Sequence, residues 1–414
     1  MATWQRNLLI LWIGSFITSA SFSMVIPFLP LFLLQIGVTK GTELWSGVLF
    51  SAAYLAGAIS APYWGSLADR FGRKPMIIRA GFVLFAVYTL TAFVNNPYEL
   101  LTLRLLQGLL SGYIPGAIAL VGTNTPQEKV GFALSLVSAA TATGSIVGPL
   151  LGGILARMFS NRVAFASAGV MVLVSTVLVI FWVNEERFVP TKQRSSILGA
   201  FSEAIHNRPL LNALLLNMFT AFSVMTIEPI LTLYIAQLNH SLQNASLMAG
   251  IVFSLSGIAS VVFAPIWGKM ADRVGFFKVL IIGLIGGTVW TFMQLPFHNI
   301  WAFAAVRFVY GAFFCAVFPA INGIVVQSTD ESFRGRAFGI NQTANQIGNM
   351  LGPMVGGVIG QVISIHGVFW VTGILFAVVT GFSYFFTRPA VSAPQTSGPV
   401  GASGQKGLSS IRRH

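Results

Sequence analysis

Apolar runs long enough to cross a bilayer as helices, about 20 residues each, recur along the chain with short polar punctuation between them. Twelve can be placed, centred near residues 21, 57, 85, 109, 144, 173, 224, 258, 286, 312, 349 and 376. The one long polar connection falls midway, at 184–210, and carries Glu185, Glu186, Arg187, Lys192, Arg194 and Arg208. From 389 to His414 the chain turns to Pro, Ser, Gly and Ala, which predicts a disordered tail. The first 35 residues are too long and too proline-rich for a cleavable signal and are read as span 1. The pattern predicts an all-α membrane protein with twelve transmembrane helices. Its expected parts are a six-helix bundle at 1–183, a cytoplasmic linker at 184–210, a second bundle at 211–388 and a cytoplasmic tail at 389–414.

Composition strengthens this picture. Of 414 residues, 55% are hydrophobic and 8% charged, against about 25% charged in soluble domains. Such a chain could not clothe a water-exposed surface, so a cytosolic enzyme is excluded. The formal charge of +13 is scattered over short loops, a pattern that suits an anionic inner leaflet rather than nucleic acid. With the N-terminus inside, 19 of the 24 Lys and Arg lie in cytoplasmic segments. Only Lys40, Arg157 and Arg162 then lie outside, and Arg104 and Arg307 lie within spans. Both termini are therefore expected in the cytoplasm and the chain in the cell membrane. All five His fall in predicted connections or at the end, and Cys315 is the only cysteine, so neither a metal cage nor an internal disulfide is expected.

The chain also repeats itself. At an offset of 203 or 204 residues, Ala61-Pro62-Tyr63-Trp64-Gly65 falls on Ala264-Pro265-Ile266-Trp267-Gly268, Asp69-Arg70 on Asp272-Arg273, and Arg104 on Arg307. Pro115 pairs with Pro319, and Gly148-Pro149 with Gly352-Pro353. Two homologous halves fused through a linker, with prolines bending matched spans, suggest bundles that rock around a shared central site.

Gly65-Ser-Leu-Ala-Asp69-Arg70-Phe-Gly72-Arg73-Lys74 resembles the signature between spans 2 and 3 of the major facilitator superfamily. Arg104-Leu-Leu-Gln107-Gly108 resembles its span 4 motif. Gly144-Ser-Ile-Val-Gly148-Pro149-Leu-Leu-Gly152-Gly153 resembles the span 5 motif of its drug:proton antiporters, and Pro27-Phe-Leu-Pro30 a span 1 pattern of the twelve-span group. The likeness runs over roughly 4–388 and is nearest to bacterial multidrug and quinolone efflux pumps. It implies that Gly65, Asp69, Arg70 and Arg73, with Asp272 and Arg273 in the second copy, latch the bundles on the cytoplasmic side when the outward face is open. Physically, a carboxylate such as Asp69 is favoured beside a helix N-terminus. The plainer reading of that loop is a positive-inside segment. For Gly144, Gly148, Gly152 and Gly153 the residues themselves indicate a flat face admitting a close neighbour, and the resemblance alone ties it to export.

Ionisable residues inside spans cost about 2.5–3.5 kcal/mol each at a helix centre. The clear cases are Arg104, Glu228 and Arg307, which are expected in one layer about 9–12 Å from the outer ends of spans 4, 7 and 10. Glu228 is the candidate proton site: burial favours its neutral form and a nearby Arg the carboxylate, so arriving cargo can tip the balance. The alternative is a structural ion pair with Arg307. Quinolone pumps carry an acid at what looks like this position, six residues before a Tyr, as in Glu228…Tyr234; a second acid found in span 10 of some of them is replaced here near Cys315. Arg104 resembles an arginine that assists proton movement in the superfamily, with anion binding or helix bracing as alternatives, and Arg307 is its repeat partner.

Met218, Phe222, Met225, Tyr310, Phe313 and Phe314 supply thioether and aromatic surface on spans 7 and 10. Such surface accepts flat or greasy ligands and cations, although each is also an ordinary packing residue. Asn341, Gln342, Asn345, Gln346 and Asn349 put five amides on the cytoplasmic half of span 11, where they are expected to line the vestibule or bond across helices. Among these, Phe222, Met225, Tyr310, Phe314 and Asn345 are the substrate-binding candidates. No phosphate-binding loop appears. The expectation is a monomeric, cofactor-free, proton-driven exporter of hydrophobic or cationic small molecules, with a sugar or metabolite efflux carrier as the alternative. An intramembrane enzyme lacks a paired nucleophile and base in the spans.

Overall fold

A computed structural model of the chain describes residues 2–185, 197–239, 242–330 and 333–387. These fold into helices that give twelve spans. In the first half they are Thr3–Gln35, Thr42–Phe71, Arg73–Thr91, Pro97–Asn124, Val130–Met158 and Asn161–Trp182. In the second they are Arg208–Asn239, Leu242–Val274, Phe276–Phe292, Ile300–Gln327, Arg334–Val362 and Ile365–Phe382. Ten are long and apolar enough to cross a membrane on length and composition alone. The other two are span 9, with 17 residues, and span 11, whose amides lower its hydropathy. His366, expected in a connection, lies in the first turn of span 12. Residues 186–196 of the polar linker and the entire tail lie outside the described residues. The linker's described helix, Ile197–His206, docks on the second bundle, with Ala204 buried and Glu203 3.6 Å from Arg336.

The two ends of the molecule differ. Asn7 donates to the Asn184 carbonyl at 2.6 Å and accepts from its N–H at 3.0 Å. The start of span 1 and the end of span 6 therefore share one face, here called the linker face. At the opposite, distal face the halves meet through spans 2 and 11 and through spans 5 and 8. A Cβ on Gly47 would strike the Pro353 carbonyl, and one on Gly357 would come within 2.7 Å of the Glu43 carbonyl. Across the second seam, a Cβ on Gly250 would strike the Pro149 carbonyl, while Ser254 donates to the Ile146 carbonyl at 2.6 Å. Toward the linker face the same four spans part: Gly65, Gly131, Gly268, Gly335 and Gly339 have nothing within 4 Å of an added Cβ. The distal end is shut and the linker end open.

Spans 1, 4 and 10 are interrupted at mid-depth. Span 1 tightens into a 3₁₀ turn at Ile26–Phe28 around Pro27. Span 4 breaks at Ser111 and Gly112, where Gly112 has φ +129°, a conformation glycine adopts without strain. Span 10 breaks at Cys315 and Ala316. The breaks precede Pro115 and Pro319, which sit in the first turn of the following helices, where proline's missing N–H costs little. Breaking a helix orphans carbonyls. Trp64 Nε1 donates to the Leu109 carbonyl at 2.6 Å, and its repeat partner Trp267 donates to the Ala312 carbonyl, also at 2.6 Å. The repeated tryptophan thus has a defined task. Arg79, assigned to the cytoplasmic side by its sequence, lies inside span 3, stacks 3.2 Å over the Trp64 ring and donates to Ser111.

Candidate transport site and coupling layer

Between the bundles lie two cavities. One of about 310 Å³ belongs to the first half and is walled by spans 1, 2, 3 and 4, with Phe22, Phe50, Tyr54, Tyr88, Arg104 and Gln107 among its lining residues and Gln346 closing it from span 11. The other, about 400 Å³, lies in the second half between spans 7, 10 and 11; it holds Met225 and Asn345 in a wall rich in amides.

Of the three intramembrane charges expected from the sequence, the structure joins two. An Arg307 Nη lies 3.5 Å from a Glu228 carboxylate oxygen, with side chains 5% and 18% exposed. Arg307 also donates at 3.3 Å to Gln294, in the turn that closes span 9, and stacks over Tyr310. Arg104 is held apart, donating to Gln107 at 2.7 Å, and Gln107 in turn donates to the Tyr88 hydroxyl. Each arginine is therefore tethered to the neighbouring span of its own half, span 3 or span 9. The expected distance from the outer end needs correction at Glu228, although its contact with Arg307 keeps those two charges in one layer. Span 7 runs on to Asn239, so Glu228 sits eleven residues, about 16 Å, from its distal end, against about 10 Å for Arg104 and Arg307. Tyr54 of span 2 lies within electrostatic range of both Glu228, in the other half, and Arg104.

The span 5 glycines pack as a face. Added Cβ atoms on Gly144, Gly148 and Gly152 would strike span 1 at the Phe16, Ala20 and Met24 carbonyls, whereas Gly153 and Pro149 face span 8 of the other half. In the repeat, Gly348, Gly352 and Gly356 meet span 7 at Met218, Phe222 and Thr226, and Gly357 and Pro353 face span 2. One motif thus holds a bundle together and forms the seam between bundles.

The gate residues lie at the open end. Gly65, Arg70, Asp272 and Arg273 are exposed, and the Asp69 side chain lies outside the described residues. Arg73 donates to the Ala119 carbonyl at 3.0 Å and to Thr123 at 2.5 Å. A partner for this loop that sequence did not single out is Glu185. Its carboxylate accepts from the Arg73 and Lys74 N–H groups, each at 2.9 Å, and so caps the start of span 3. Glu185→Ala should cost about 1–2 kcal/mol, visible as a lowered melting temperature of the purified protein, with part of the loss recovered in Glu185→Gln.

The substrate candidates separate. Met225 and Asn345 line the amide cavity. Phe222 is half-buried beside Gly348 and Gly352. Tyr310 and Phe314 stack on each other at 5.2 Å and pack on Phe376 in the core of the second bundle, so neither is a cavity wall; aromatic side chains look alike in sequence whether they face core or cargo. Tyr54, Tyr88 and Gln107 were missed for the converse reason, being polar-tipped residues in the half that carries no acid deep within a span.

The two half-spans, the matched breaks and the paired seams have their counterpart in a family model described as Major Facilitator Superfamily, which matches residues 11–249 and 217–414. The chain belongs to the major facilitator superfamily. It is 37% identical over 347 residues, covering 82% of this chain and 85% of the relative, to "Multidrug resistance protein MdtG" of Proteus mirabilis (strain HI4320). It is 36% identical over 348 residues, with the same coverage, to the protein of that name in Salmonella paratyphi B (strain ATCC BAA-1250 / SPB7). Among solved structures it resembles the nucleoside transporter NupG (TM-score 0.76, 15% identity, 92% of this chain and 98% of that one). A bacterial homolog of the human lysosomal transporter Spinster is similar too (TM-score 0.77, 12% identity, 94% and 98%). At such identities the structural likeness speaks for the fold. This superfamily member is a multi-pass membrane transporter, not an enzyme.

Proposed function

We propose that the protein is a multidrug exporter of the cell membrane that exchanges protons for hydrophobic or cationic drugs by alternating access. Its likeness to multidrug resistance proteins over four-fifths of the chain supports the cargo class. The linker face is assigned to the cytoplasm on the positive-charge bias, which makes the described conformation inward-open, its outer seams shut.

One observation carries the coupling: Glu228, the acid within span 7, rests against Arg307 beside the closed seam and within range of Tyr54 from the opposite half. An ion pair in a low-dielectric setting holds only while both partners are charged. Protonating Glu228 releases Arg307, and cargo entering from the cytoplasm with positive charge or apolar bulk competes for the same carboxylate and its space. Cargo and proton then occupy the site in alternation, the requirement for antiport. The positioning of Arg104 by Gln107 and Tyr88 provides a fixed cationic wall that keeps a second proton from residing in the first half.

The test is uptake of a fluorescent cationic dye by proteoliposomes under an imposed pH gradient. Uptake should collapse when nigericin dissipates that gradient, while the membrane potential is clamped. Uptake unaffected by nigericin under the clamp would refute proton coupling and leave the fold untouched.

A further inference from the structure

The cavity of the second half has an unusual wall. Six amides line it (Asn217, Asn322, Asn341, Gln342, Asn345 and Asn349), and its other lining residues are apolar, with no charged side chain among them. Four of the hydrogen bonds form one directed ladder. Asn349 donates to Asn345 at 3.0 Å, Asn345 to Asn217 at 3.2 Å, Asn217 to Asn341 at 2.8 Å, and Asn341 to Asn322 at 2.9 Å. The ladder joins spans 7, 10 and 11. It stops at Asn322, whose own amide N–H₂ makes no bond among the described residues. Gln342 likewise makes none, so its donors and acceptor are all available to the cavity.

Within the ladder Asn341 and Asn345 each spend one hydrogen and one lone pair and keep another of each, Asn322 keeps both hydrogens, and Asn217 and Asn349 donate a second time, to the Asn341 carbonyl and to Gln346. The wall therefore offers closely spaced donors and acceptors with no net charge. An ion would leave water here without a counter-charge, which is costly. A group that both donates and accepts, such as a set of neutral hydroxyls or a carboxamide, replaces its water bonds one for one. The neighbouring 310 Å³ cavity is largely aromatic and apolar, with Arg104 and Gln107 on its wall. The two are linked through span 11, because Gln346 lines the first and accepts from Asn349 of the second at 3.3 Å.

The geometry points to a bipartite cargo site in which the amide ladder is a subsite for the neutral, hydroxyl- or carboxamide-rich end of an amphipathic molecule whose flat apolar end lies in the first half. The inference rests on the exporter reading and deepens it: glycosylated or otherwise polyhydroxylated aromatic compounds become preferred cargo over their bare aromatic parts.

Two neutral coumarins differing only at this end provide the probes, 4-methylumbelliferyl β-glucoside and 7-methoxy-4-methylcoumarin. Their binding is measured by equilibrium dialysis against the full chain in nanodiscs, with empty discs subtracted. The glucoside should bind at least about fivefold more tightly, two or more net hydrogen bonds being worth that much. Gln342→Leu, which breaks no internal bond, should reduce that preference, and Asn345→Leu, which interrupts the ladder, should abolish it, both leaving the methoxy compound's affinity unchanged. Equal affinity of the two coumarins for the native chain overturns the inference, and so does a preference retained in both variants. A parallel loss of both affinities also overturns it, since it means that the ladder only shapes the bundle. Ethidium export, which needs no hydroxyl subsite, is followed separately: export without a glucoside preference sinks this inference alone, whereas absence of export sinks the exporter reading beneath it.

Discussion

Vesicles carrying Glu228→Gln should accumulate drug under an imposed pH gradient no faster than vesicles lacking the protein. The glutamine mimics the protonated acid: its oxygen can still accept from Arg307, but without the charge attraction that holds the 3.5 Å ion pair between spans 7 and 10. Folding should then lose about 1–3 kcal/mol, as expected for a weakened buried contact. What disappears is the ability to take up and release a proton at that point. Equilibrium exchange of labelled drug, which needs no net proton movement, should persist, and its persistence separates lost coupling from lost binding. Glu228→Asp keeps the acid on a side chain one methylene shorter and should transport slowly rather than not at all. Full gradient-driven uptake by Glu228→Gln would exclude this carboxylate as the coupling group and return it to the role of a structural partner for Arg307.

The second large effect concerns glycines that look equivalent in sequence. Gly148→Leu should prevent the purified protein from accumulating as a folded species, because its Cβ alone would strike the Ala20 carbonyl and the Ser23 hydroxyl within one bundle. Backbone cannot move aside cheaply there, and overpacking costs about 1–3 kcal/mol or more per site. Gly250→Leu should behave otherwise. Its obstruction is the Pro149 carbonyl of the other bundle, so the clash exists only while the distal seam is shut. The protein relieves it by opening that seam. A cysteine placed on the distal part of the seam should become reactive toward an impermeant thiol reagent, transport should fall by about tenfold or more, corresponding to a bias of at least about 1.4 kcal/mol between the two states, and the melting temperature should change little. Equal instability of the two variants would contradict the assignment of one glycine to a bundle and the other to a seam.

Much of this was legible from the chain. Apolar runs placed the twelve spans, ten of which are long and apolar enough to cross a membrane by themselves. The internal repeat followed from residues whose roles recur, and the structure supplies the roles: Trp64 and Trp267 each satisfy a carbonyl orphaned by a broken helix. The amides of span 11 were expected in a vestibule or across helices, and they do both. Less legible was the choice between core and cargo for aromatic residues. Tyr310 and Phe314 sit in the core of the second bundle, while Tyr54 and Tyr88, the latter just as buried, line the cavity of the first half. The Glu185 cap on span 3 gave no signal at all, because its partners are backbone N–H groups more than a hundred residues away.

The sequence by itself determined the solvent of this protein, its number of spans, its duplicated plan and the few places where polarity enters the membrane. These are properties of composition and period, set by the cost of leaving an unsatisfied group in hydrocarbon. Only the tertiary structure decided which polar groups meet. Glu228 joined Arg307 rather than Arg104, and Asn217 and Asn322 completed a ladder begun on span 11. The seam glycines parted from the bundle glycines, and one end of the molecule closed while the other stood open. Such outcomes depend on the rotation of each helix about its axis and on which face a neighbour covers. A membrane span is apolar on nearly every side, so its sequence leaves that rotation undetermined until the helices pack.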